Sequence, residues 1–216
     1  FTPEHRKLPR HRGRGFYAAQ TYSDLPANDE RRIQIGWFQT ETKGMPFNQS
    51  MTVPFELKLT ATPDGPRMTF TPVRELQALR AQSHRFAAAA LAPDGANPLE
   101  GVRAELVELR TEFTPGAATA VAFRVRGADI VYDAARQELS VNGHRAPAPL
   151  RGGRQRLTIY CDRTGLEVFG SDGLTYVPMP FQPKAEDRAL GIEARGGPAR
   201  IESLEVHELQ SAWGSR

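Results

Sequence analysis

The 216-residue chain has one cysteine, Cys161, so no disulfide can form within it. Cys161 closes the strand-like run Leu157-Thr158-Ile159-Tyr160-Cys161, where a small buried hydrophobe is the expected role. A catalytic thiol would need a histidine beside it in a polar cleft. Long apolar runs are also missing. The most apolar stretch, Phe86 to Leu91, falls far short of the roughly eighteen residues a membrane span needs. No basic-then-apolar leader opens the sequence, so any secretion signal is expected to lie upstream or to have been removed. The five histidines (His5, His11, His84, His144 and His207) lack metal-ligand spacing of the HExxH kind, and no metal or other cofactor is expected. His207 falls among acids in an alternating run and is expected at the surface. Gly152-Gly153 and Gly196-Gly197 read as hairpin turns, because neither opens the helix that a phosphate-cradling loop requires. Asp94-Gly95-Ala96-Asn97 carries residue types that ligate cations, but it too reads as a turn.

What is present is ordinary in bulk. Hydrophobic content of 39% and charged content of 25% suit a globular chain with one good core or two modest ones. The formal charge is +3 and the pI 9.2, yet basic residues interleave with acids, as in Glu100 to Glu112, and no aromatic-basic stripe occurs. Neither a nucleic acid nor a membrane is therefore expected as a partner. The densest basic run, His5 to Arg14, reads as a solvated loop.

Nearly every periodic segment reads as β. Short runs rich in Val, Ile, Thr, Phe and Tyr recur between Gly, Pro, Asn and Asp, beginning with Phe16 to Tyr22, Arg32 to Phe38, Phe55 to Ala61 and Arg67 to Pro72. Further candidates run from Ala104 to Phe113 through to Ala199 to Leu209. Asn142-Gly143 suits a tight primed hairpin turn, because both residues tolerate positive φ. Alternation is clearest in Leu166-Glu167-Val168-Phe169 and in Ile201 to Leu209, where the apolar residues would face an opposing sheet. Only Val73 to Arg80 departs from this, with Val73, Leu76 and Leu79 at near-helical spacing. The C-terminal two thirds thus holds about ten short strands at hairpin spacing, the pattern of an antiparallel sandwich.

Five stretches carry a resemblance: Phe16-Tyr17-Ala18-Ala19-Gln20-Thr21, Arg32 to Trp37, Met45 to Pro54, Asp162-Arg163-Thr164-Gly165-Leu166-Glu167-Val168-Phe169-Gly170, and Ser203 to Leu209. In this order they resemble glycoside hydrolase family 32, the invertases, levanases and inulinases that cleave β-fructosides. The resemblance implies an all-β chain: an antiparallel β-sandwich, jelly-roll or lectin-like, preceded by roughly one blade of a five-bladed β-propeller. The implied partition is residues 1–66 as the final blade, 67–80 as a connector and 81–216 as the sandwich. One blade cannot bury both its faces, so it is expected to lean on the sandwich, on another copy, or on a missing propeller segment.

Hydrolysis in that family retains configuration, which needs two carboxylates about 5–5.5 Å apart. Its Asn-Asp-Pro-Asn-Gly, Glu-Cys and Arg-Asp-Pro motifs do not occur here; Asn28-Asp29-Glu30 lacks the following Pro-Asn-Gly. No catalytic residue is therefore assigned, and the chain is expected to be inactive alone. Should it prove active, Asp24, Asp29 and Glu56 are the carboxylates to test first; Glu56 itself reads as structural. By resemblance, Tyr17 and Trp37 match aromatics around the terminal fructose subsite, where an indole face packs on furanose C–H groups. The alternative for both is a propeller-core position. The leading expectation is thus the C-terminal portion of a retaining β-fructosidase that acts on fructans or sucrose. It would be secreted or periplasmic by resemblance. The alternatives are a stand-alone carbohydrate-binding module, for which Tyr132, Tyr176 and Phe181 are the aromatics to inspect, and a scaffold chain completing a propeller supplied by a second polypeptide. The last predicts a large apolar surface over Phe16 to Val53.

Overall fold

Three antiparallel sheets account for most of the described residues. The computed structural model describes residues 11–212, so Trp213, His5 and the basic run as far as Arg10 lie outside the described residues. The first sheet contains β1 (Phe16–Thr21), β2 (Arg32–Phe38), β3 (Ser50–Met51), β4 (Phe55–Thr60) and β5 (Arg67–Pro72), ordered β1-β2-β4-β5 with β3 on the end of β2. Arg67–Pro72 had been expected in the connector. It pairs with β4 along its length because Phe70, opposite Leu57, belongs to the same buried aromatic cluster as Phe55. The first sheet therefore runs on to Pro72.

A short 3-10 turn (Arg74–Leu79) follows where helical spacing had been noticed. Next come β6 (Arg80–Phe86), β7 (Ala89–Leu91), β8 (Val107–Thr114), β9 (Ala120–Val125), β10 (Ala128–Asp133), β11 (Glu138–Val141), β12 (His144–Pro147), β13 (Gln155–Cys161), β14 (Gly165–Gly170), β15 (Thr175–Pro180), β16 (Leu190–Arg195) and β17 (Ala199–Leu209). They form a five-stranded sheet ordered β12-β11-β10-β9-β16 and a seven-stranded sheet ordered β15-β14-β13-β8-β17-β6, with β7 beside β17. The β11–β12 hairpin closes over Asn142 (φ 46) and Gly143 (φ 81), the primed turn its sequence calls for.

The two larger sheets pack face to face as a sandwich. Val121, Phe123, Ile130, Tyr132, Leu139 and Ile192 from one meet Leu109, Phe113, Leu157, Ile159, Val168 and Val206 from the other, all buried. Burial of each such side chain is worth about 1.5–3 kcal/mol. Cys161 belongs to this core, where burial raises its thiol pKa to about 12 and leaves it inert.

The first sheet lies against the outside of the seven-stranded sheet at its β13-β14-β15 end. Phe55 and Phe70 from the first sheet pack with Tyr160, Phe169 and Tyr176 from the sandwich. Strand β14 is consequently buried on both faces: Leu166 and Val168 point into the sandwich, while Glu167 and Phe169 lie beneath the first sheet. The described end of the basic run is not a solvated loop. Arg12 and Arg14 donate backbone N–H bonds, both of 2.7 Å, to the carbonyls of Tyr176 and Pro178, and so cover the edge of β15.

Candidate functional site: the outer face of the first sheet and the cleft beneath it

Alternation along β2 sends its two faces to different fates. Phe38, paired with Phe16, turns toward the sandwich, whereas Trp37, paired with Tyr17 on one side and Met51 on the other, turns outward. Tyr17 and Trp37 meet edge to face with ring centroids 6.0 Å apart, and a bulge after Tyr17, with Ala18 at φ 43, sets the tyrosine's direction. Tyr17 is 61% exposed, Trp37 38% and Met51 52%. These three side chains form an exposed apolar cluster on the outer face.

The opposite face is sealed by the stretch Asp162 to Gly170. Asp162 Oδ1 accepts the N–H groups of Thr164 (2.7 Å) and Gly165 (2.8 Å), which makes the tight turn into β14. Gly165 lets Phe38 pass overhead; a Cβ there would stand 2.4 Å from the Phe38 ring. Phe169 stacks on Tyr176 at 4.6 Å and 18°. Glu167 accepts the Val53 N–H at 2.8 Å, and its other oxygen lies 2.5 Å from the Tyr176 hydroxyl. Burial, with the like charge of Asp162, pushes its pKa up to about 8 against those two hydrogen bonds, so it is a neutral acid at pH 7.

Glu167 ends a row of polar side chains that crosses the seven-stranded sheet in register: Ser83, His207, Glu108, Tyr160, Glu167. The last four are buried. His207, expected at the surface, lies fully buried among Ser83, Glu108, Glu205 and Arg80. Its Nδ1 is 2.8 Å from Ser83 Oγ and its Nε2 3.2 Å from Glu205 Oε2. Beside the row lies a cleft of 670 Å³ between the β2–β4 loop, the 3-10 turn and the sandwich. Met45, Phe47, Met51, Leu76, Tyr160 and Glu167 contribute to its lining.

The remaining candidates resolve differently. Asp29 belongs to a clasp: Arg31 binds it at 2.6 and 2.8 Å and also binds Glu75 at 2.7 Å, and these bonds lower the Asp29 pKa to about 2. Glu56 faces Lys58 at 2.9 Å, and Asp24 is exposed. Tyr132 and Tyr176 are buried and Phe181 packs partly against the core, so these three offer no aromatic platform on the sandwich. In the Asp94–Asn97 turn, Asn97 accepts the N–H groups of Leu99 and Ile192, both at 3.1 Å, which fastens the turn to β16. The sequence assigns no site role to Glu167, Glu108 or His207. Each occupies the polar phase of an alternating strand, which looks solvent-facing until a third layer covers it.

Comparison with known proteins fits this arrangement. Residues 75–208 match the family described as glycosyl hydrolases family 32 C terminal. The chain is 31% identical over 231 aligned positions to a levanase of Bacillus subtilis (strain 168), an alignment covering 94% of this chain and 34% of the levanase. It is 28% identical to a sucrose-6-phosphate hydrolase of Zymomonas mobilis subsp. mobilis, with 98% and 45% covered. Among solved structures, the exo-inulinase of Aspergillus awamori superposes with a TM-score of 0.77 at 20% identity, covering 94% of this chain and 44% of that one. That likeness speaks to fold alone. The chain spans between a third and a half of the length of these relatives.

Proposed function

From the premise that this chain belongs to glycosyl hydrolase family 32, matched over residues 75–208 by that family's C-terminal domain, we propose that it is the C-terminal portion of a retaining β-fructosidase acting on fructans or sucrose. The first sheet, expected over residues 1–66 and extended by β5 to Pro72, serves as the final propeller blade. The observation that carries this reading is the exposed Tyr17–Trp37 pair on a face that the sandwich leaves uncovered. An upstream propeller segment, or a second copy, is the partner that covers the rest of the face, and Tyr17 and Trp37 then contribute to the fructose subsite. The chain is inactive by itself, since the Asn-Asp-Pro-Asn-Gly, Glu-Cys and Arg-Asp-Pro motifs do not occur in its sequence; of its candidate acids, Asp29 and Glu56 are each engaged by a cation. Export, to the medium or the periplasm, is part of the same reading.

The test is fructose release from levan, inulin and sucrose by the purified chain, joined to a sugar titration followed by tryptophan fluorescence. No release and a response that Trp37→Ala abolishes, with folding intact, are expected. Robust release would overturn the non-catalytic reading, and a response unchanged in Trp37→Ala would remove Trp37 from the subsite.

A further inference from the structure

A continuous set of hydrogen bonds leads from the buried acid to the exposed indole. Glu167 Oε1 accepts the Val53 N–H at 2.8 Å, and its Oε2 lies 2.5 Å from the Tyr176 hydroxyl. That hydroxyl is bonded in turn to the side chain of Thr52. Thr52 is buried and doubly joined to Gly36: its Oγ1 accepts the Gly36 N–H and its own N–H donates to the Gly36 carbonyl, both at 3.0 Å. Gly36 precedes Trp37, and Met51, beside Thr52, is the cross-strand neighbour of Trp37. Every link is a backbone group or a buried side chain, and the Tyr176 ring is itself held by stacking on Phe169, so little slack separates the two ends.

We propose that Glu167 is a positioning residue for Trp37, setting the place of the 50–53 segment, and with it the indole, through Tyr176, Thr52 and Gly36. The importance given to Trp37 rests on the fructosidase reading; the coupling itself does not. Glu167 accepts at both oxygens, from the Val53 N–H at Oε1 and from the Tyr176 hydroxyl at Oε2, while the Thr52 hydroxyl donates to the Tyr176 oxygen and accepts from the Gly36 N–H, so every partner is satisfied. Ionisation strengthens both accepted bonds and places a charge where burial disfavours it. The titratable groups around Glu167 offer that charge no relief. Tyr176 on β15 and Tyr160 on β13 are neutral phenols, and Asp162 carries the same sign. Arg163 at the cleft rim is held by Glu105 at 2.7 Å, and Arg80, beyond Tyr160, is held by Glu108. The segment 50–53 contributes no titratable side chain. The ionised carboxylate draws the Val53 N–H and the Tyr176 hydroxyl closer as water enters from the adjoining cleft, and the 50–53 segment moves Trp37 with it.

The test uses the full chain carrying Trp213→Phe, so that Trp37 is the sole fluorophore of its kind. Between pH 6 and 9.5 its emission is expected to titrate with a midpoint near the Glu167 pKa of about 8. Adding Glu167→Gln, a neutral isostere, is expected to flatten that transition. Thr52→Val, which keeps Glu167 and cuts the relay, is expected to shrink its amplitude at least severalfold. A flat emission profile in the parent, or the same transition in Glu167→Gln, overturns the proposal. If Glu167→Gln does not fold, a full-amplitude transition in Thr52→Val overturns it equally. No sugar enters the measurement, so failure of the subsite reading and failure of this coupling are separately visible.

Discussion

Arg80 holds Glu108 in a two-pronged grip, Nε to Oε2 at 2.6 Å and Nη2 to Oε1 at 2.7 Å, with the carboxylate buried and the guanidinium largely so. The planar fork matches the carboxylate at both oxygens. Arg80 opens β6 just after the 3-10 turn, so this pair fixes where the chain leaving the first sheet lands on the sandwich. Arg80→Ala leaves a buried carboxylate without its cation, and a loss of about 3–5 kcal/mol is expected in urea unfolding. Arg80→Lys, which keeps the charge but not the fork, should recover only part of it.

His207 supplies an acid-side pH dependence. Burial, aided by the charge of Arg80, lowers its pKa below 6.5, against the raising influence of Glu108 and Glu205. The unfolded chain then binds the proton more readily than the folded one. Stability is therefore expected to fall as the pH drops below about 6.5. His207→Gln should flatten that part of a urea-midpoint profile; an unchanged slope would place its origin elsewhere.

Glu167 acts with the opposite sign. Its folded pKa of about 8 exceeds the ordinary value of 4.5, so the folded state holds the proton more tightly. Its contribution is full below pH 4.5 and declines as pH rises through the folded pKa. The urea midpoint of the native chain should accordingly fall between pH 6.5 and 8, above the range in which His207 gains its proton, and Glu167→Gln should lose that decline.

The β-sandwich was legible because its strands alternate and its turns carry Gly, Asn and Asp. Asn142-Gly143 and Ala199–Leu209 stand where their patterns put them. Strand β6, with the sequence Arg-Ala-Gln-Ser-His-Arg-Phe, was not legible, since an edge strand packing polar side chains on both faces has no apolar phase to read. The buried row failed for a related reason: Glu108, Glu167 and His207 sit in phases that alternation assigns to solvent, and only the layer formed by the first sheet and the chain after it changes that. The exposed aromatics were found through resemblance, and their exposure is a consequence of register that no local pattern encodes.

Phe55 tests whether the first sheet and the sandwich form one folding unit. It is fully buried and touches Phe70 at 5.5 Å and Tyr176 at 5.1 Å between ring centroids. Phe55→Ala empties the centre of that cluster, at a cost of about 3–5 kcal/mol. Amide exchange in β2 and β4 should accelerate well before exchange in β8 and β13, whose core is separate. Equal acceleration everywhere would mean that the sheets unfold only together.

Met51 separates docking from folding on the outer face. It is 52% exposed and sits beside Trp37, so Met51→Lys removes little native burial, and the folding free energy should change by no more than about 0.5 kcal/mol. The same substitution sets a charge in the middle of the apolar face, where any chain docking there must desolvate it. Sedimentation velocity across a concentration series is therefore expected to show weaker self-association for Met51→Lys than for the native chain at an unchanged melting temperature. Association that persists undiminished would move the contact to another surface. A drop in melting temperature matching the loss of association would mean that Met51 supports the fold, not the docking.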